Sequence, residues 1–188
     1  MKYNILVVAF LLVGFASCKN NTEDKTAEEP LEKVDPSFNV DIDIINELDD
    51  AFALYYTEDN SINFTEEHAF WTDIQKGSPQ VKTVNYKFPE EIIPTDIRLD
   101  FGNNKQQKSI TLEKLKMSFQ GKTFEAKGSD FLKYFIANDS IKTEIDEAKG
   151  SIKFLQNEKG FNPAFYYPNE ALISEISKLT GNTTTGNK

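Results

Sequence analysis

The residues able to do chemistry in this 188-residue chain are few: one histidine, His68, and one cysteine, Cys18. A Ser-His-Asp triad would have to use His68, yet no Gly-x-Ser-x-Gly elbow or comparable nucleophile setting accompanies it. His68 is expected to be a partly exposed strand residue. One imidazole and one thiol also fall short of the four N or S ligands of a zinc site, so no metal ligand is assigned. The acids come as neighbours: Asp49-Asp50, Glu66-Glu67 and Glu90-Glu91. Neighbours on a strand point to opposite faces, so no such pair makes a two-carboxylate glycosidase site by itself. They are expected in solvated loops, and no catalytic residue is assigned.

The aromatic residues carry more. Tyr55-Tyr56, Tyr166-Tyr167 and Phe70-Trp71 are adjacent pairs in extended segments, so one ring of each should face a core and the other the outside. An exposed ring can stack on the C–H face of a sugar while amides and carboxylates take the hydroxyls. The candidate ligand-binding residues are therefore Trp71, Tyr55, Tyr56, Tyr166, Tyr167 and Asp73, with Gln75 and Asn60 as further polar company. Core or edge packing of all six rings is the plainer alternative.

Cys18 ends a different pattern. Lys2 gives a positive start, Ile5 to Val13 an unbroken apolar run, and Gly14, Ala16 and Ser17 the small residues of a cleavage site. The run is too short to cross a bilayer as a helix, which takes about 20 residues. Phe15-Ala16-Ser17-Cys18 resembles the lipobox of bacterial lipoproteins, although Phe15 stands where the family usually has an aliphatic residue. The resemblance implies cleavage before Cys18 and acylation, as by palmitate, of its thiol, which also accounts for an unpaired cysteine in an exported chain. Several acyl chains hold firmly where one holds marginally. Lys19, where an inner-membrane retention signal would place Asp, implies the outer membrane, facing either the periplasm or the surface. Lys19 to Asp24 is loosely similar to the export signals of Bacteroidota lipoproteins.

Residues 1–17 are thus read as a signal peptide and 18–36 as the lipidated cysteine with an acidic, disordered linker, too poor in apolar residues to offset its chain entropy. Residues 37–181 form one domain and 182–188 a flexible tail. Residues 1–17 carry a single charge, Lys2, so their removal takes the formal charge from -9 to -10. Such an acidic chain is not expected to bind nucleic acid.

Within the domain the apolar period is mostly two. Strands are expected at Phe38–Ile44, Ala51–Thr57, His68–Ile74, Val81–Phe88, Asp96–Phe101, Ser109–Phe119 and Lys122–Ala126, with shorter ones at Ile141–Ile145 and Ser151–Leu155. Helical spacing appears at Asp130–Ala137, through Phe131, Leu132 and Phe135, and at Asn169–Leu179, where Asn169 can cap. The expected fold is all-β, an antiparallel sandwich with one or two short helices.

The segment Thr95-Asp96-Ile97-Arg98-Leu99-Asp100-Phe101-Gly102-Asn103-Asn104, with the strand that follows it, resembles the Arg-x-Asp-x-Gly turn of jelly-roll-like sandwich modules in bacterial envelope and glycan-handling proteins. The resemblance implies a jelly-roll-like sandwich, with Arg98 and Asp100 organising the turn. Such modules often hold a structural calcium, for which Asp59 with Asn60, or Asp100 with Asn103, are the candidates, though both groups are also ordinary turn formers. No other cofactor is expected. The reading that follows is a membrane-anchored, non-enzymatic envelope lipoprotein with a carbohydrate-binding module. The alternatives are a protein-docking subunit of an envelope complex and an acid-dependent hydrolase.

Overall fold

The structure, a computed structural model, describes residues 34–137, 143–155 and 164–182. The expectations for the signal peptide, Cys18 and the linker up to residue 33 fall outside them, as do those for residues 141–142 and the end of the tail. The expected all-β sandwich forms. One sheet has the order β4 (Ser78–Lys87), β1 (Asn39–Asn46), β6 (Ser109–Phe119), β10 (Ser151–Phe154), β9 (Thr143–Asp146), with β7 (Lys122–Lys127) also on β6. The other runs β3 (Ala69–Trp71), β2 (Ala53–Thr57), β5 (Asp96–Phe101), β11 (Ala164–Pro168), β8 (Phe135–Ala137). The strand pairings within each sheet are antiparallel.

Alternation decides what lies between the sheets. Val40, Ile42 and Ile44 of β1 point inward, as do Val84 and Tyr86 of β4, and they meet Leu54, Tyr56, Ile97, Leu99 and Phe101 of the other sheet in one core. The opposite face of the first sheet is polar: Asn85 donates to Asp41 and Thr83 to Asp43, both at 2.6 Å, and Lys114 lies 3.2 Å from Asp43. In β6 the buried positions change parity, from Ile110 and Leu112 to Leu115, Met117 and Phe119. The register against β1 slips at the same place, Asp43 facing Lys114 while Ile44 faces Leu112, so Glu113 is the extra residue of a bulge.

Three expected elements come out differently. Asp130–Ala137 is not a helix: a 3-10 turn covers Gly128–Lys133 and the chain then extends as β8. A Cβ on Gly128 would run into the Leu112 carbonyl, so the chain crosses β6 there at a distance only glycine allows. Phe131 and Phe135 still stack, with centroids 4.5 Å apart, so their four-residue spacing is met by a turn and a strand rather than by a helix. His68–Ile74 is a strand only over Ala69–Trp71, because residues 66–68 form a 3-10 turn and Asp50 reaches Gln75 by an isolated bridge. Ser78–Lys87 begins earlier than expected and passes through Pro79, which an edge strand tolerates. The helix α1 (Glu170–Thr180) forms as expected, with the Asn169 side chain accepting from the Ala171 and Leu172 amides and Gly181 closing the last turn at φ 76°.

Candidate functional site

The outward face of the second sheet gathers most of the candidate residues. Register puts Ala69, Tyr55 and Arg98 opposite one another, Tyr167 opposite Ile136, and, in the neighbouring row, Trp71, Ala53, Asp100 and Phe165. Each of these lies one step along its strand from a core residue, so period two alone sets the face. The segment between β2 and β3 folds over it. Thr57 Oγ1 donates to the Ser61 carbonyl, Asn60 N–H donates to Thr95 Oγ1, and Asn60 takes φ 59° at the bend.

Arg98 is the centre of this face. Its Nε and Nη2 donate to the two carboxylate oxygens of Asp100 at 2.8 and 2.9 Å. Its guanidinium carbon lies 4.0 Å from the Tyr55 ring centroid and 4.8 Å from that of Phe165, the rings of the two flanking strands. Phe64 of the covering segment and Tyr167 stand farther off, at 5.5 and 5.9 Å. A planar cation can accept such stacking and grip a carboxylate in its own plane at the same time. The pair is nearly enclosed, the Arg98 side chain being 13% and the Asp100 side chain 7% exposed. Burial raises the Asp100 carboxyl above the usual range, while Arg98 pulls against the shift.

Toward β3 the face becomes accessible. Trp71 is 43% exposed and meets Tyr55 edge to face, with centroids 6.4 Å apart. Glu66 joins their polar ends: Tyr55 Oη donates to Oε1 at 2.5 Å and Trp71 Nε1 to Oε2 at 3.3 Å. Burial, followed by this bond to a carboxylate, pushes the Tyr55 hydroxyl well above its ordinary pKa.

The candidate residues therefore separate. Trp71 and Tyr167 share the outward face, and Asp73 is exposed just beyond β3. Tyr55 points the same way but is 3% exposed, covered by its neighbours, so it supports Trp71 from below. Tyr56 and Tyr166 are corrected to core residues. Tyr56 packs on Phe70 and Phe88, and Tyr166 on Phe101 and Phe131, because each is the inward member of its pair. His68 is exposed at the end of the 3-10 turn, not in a strand, with its ring 5.1 Å from that of Tyr56.

Sequence reasoning missed two residues. Asp50, expected in a solvated loop, is buried, and its Oδ1 accepts from the amides of Ala51, Asn103 and Asn104. Gly102, at φ 83°, sits so close above it that a Cβ would strike the carboxylate. Asp50 thus organises the turn assigned to Arg98 and Asp100, which instead hold each other. Glu66, likewise expected in a solvated loop, holds both rings, and a carboxylate five residues before a tryptophan, at a turn ahead of a short strand, is able to reach its indole. As calcium candidates, Asp100 has both oxygens on Arg98 and Asp59 accepts from the Ser61 amide. Among the described residues no group of three or more acidic, histidine or cysteine side chains converges on one point. Compared with known proteins, the chain matches no family model, no curated protein and no solved structure.

Proposed function

We propose that this protein is an outer-membrane lipoprotein, acylated on Cys18, whose sandwich is a non-catalytic module that binds a polysaccharide on the outward face of the β3-β2-β5-β11-β8 sheet. The observation that carries the reading is Trp71: a large ring left 43% exposed, held edge-on by Tyr55, its indole N–H fixed by Glu66. A ring pinned in this way loses little side-chain freedom when a sugar stacks on it, which favours binding. The acids beside it support binding over hydrolysis, since Asp100 is occupied by Arg98 and Glu66 by the two rings.

A protein-docking role has its own support in Ile136, 55% exposed beside Tyr167 on the same face. One experiment separates the two. In a glycan array read with the full-length protein and with Trp71→Ala, the wild type should retain a polysaccharide that the variant loses, while the thermal melt moves little because the indole is partly in water. Retention unchanged in the variant would remove the platform. For the anchor, Cys18→Ser should abolish lipid labelling and release the protein from the membrane fraction.

A further inference from the structure

The charges around Trp71 indicate which kind of polysaccharide the face would accept. Glu66 is fixed at the polar edge of the indole, Glu67 follows it in the same 3-10 turn, and Asp73 is exposed two residues past the ring. Among the described residues at outward positions of these five strands, the one cation is Arg98, and its fork is spent on Asp100. Off the strands, exposed His68 ends the same 3-10 turn and Lys76 is paired with Asp49 at 2.6 Å, so a sugar carboxylate or sulfate laid on Trp71 would meet three carboxylates while the cation of the face is already held. The hydroxyls of an uncharged sugar would instead find carboxylate lone pairs as acceptors.

Resting on the polysaccharide reading above, we infer that the ligand is an uncharged polysaccharide and that the Glu66, Glu67 and Asp73 carboxylates exclude anionic ones. Two carboxylates standing several ångströms from a sugar acid and acting through a water-like dielectric would weaken its binding by roughly tenfold. Most of that penalty acts through solvent, so salt removes it. Raising sodium chloride from about 0.02 M to about 0.5 M shortens the screening length from roughly 20 Å to roughly 4 Å.

The test uses the full-length protein in detergent against matched pairs of soluble polymers, the hydroxyethyl and carboxymethyl derivatives of cellulose, mannan and xylan, by affinity electrophoresis. Retardation by at least one neutral polymer, about tenfold weaker with its carboxymethyl partner at low salt and nearly equal at high salt, is the expected result. Equal or stronger retardation by the anionic partner at low salt would overturn the charge inference and leave polysaccharide binding standing. If folded protein is retarded by no polymer at either salt concentration, the binding reading fails and this inference with it.

Discussion

Arg98 and Asp100 join the two halves of the outward face, because one guanidinium both grips a carboxylate and lies against the rings of β2 and β11. Removing one member strands the other where water is scarce. Arg98→Met should therefore cost about 3 to 5 kcal/mol in urea unfolding, while Arg98→Lys, which keeps the charge but not the fork, should cost less. Equal stability of wild type and Arg98→Met would show that the pair is solvated. Asp96 gives a prediction of the opposite sign. It is buried, and burial raises its pKa while the nearby Thr95 and Thr57 hydroxyls pull against the shift. The folded state then holds the proton more tightly than the unfolded chain, so ionised Asp96 opposes folding at neutral pH. That penalty is lost as pH falls through the folded pKa and is gone below the unfolded value of about 3.9. Asp96→Asn should be more stable than wild type at neutral pH, with the advantage shrinking toward pH 4. A constant difference across that range would contradict the assignment.

Secondary elements were legible wherever one face is apolar and the other polar. Asp96–Phe101 and Ser109–Phe119 match their expected bounds, and α1 begins at the residue after its cap. β11 escaped the strand assignment because Ala164 to Pro168 is apolar or aromatic at every position, so alternation is invisible: Tyr166 enters the core while Phe165 and Tyr167 line the guanidinium. The helix expected at Asp130–Ala137 failed for a complementary reason, since a spacing of four aligned Phe131 with Phe135 while the close pass of Gly128 under β6 was a tertiary fact. The same limit hid Asp50, whose amide donors lie more than 50 residues away in sequence for Asn103 and Asn104. For α1 the local rules suffice. Asn169 also donates from Nδ2 to the Lys133 carbonyl at 2.7 Å, so Asn169→Ala removes a cap and a tie to the preceding turn. The expected loss is about 1 to 2 kcal/mol by denaturant titration, and a change under half of that would show that the helix is held by Leu172 and Ile176 alone.

At the scale of the whole molecule, one sheet presents a hydrogen-bonded polar surface and the other an aromatic surface built around a buried ion pair. This asymmetry was only partly legible, because alternation predicts that one ring of each aromatic pair faces outward but not which one, nor that the chain between β2 and β3 covers Tyr55 and leaves Trp71 open. The chain has a single tryptophan. Trp71 is therefore its own reporter, and quenching of its fluorescence by acrylamide, with and without a polysaccharide retained by the protein, measures directly whether sugar covers this ring. If Trp71 is the platform, it is readily quenched in the free protein and shows a blue shift with marked protection on binding. Binding that leaves both the emission maximum and the quenching of Trp71 unchanged would place the sugar elsewhere and contradict that role.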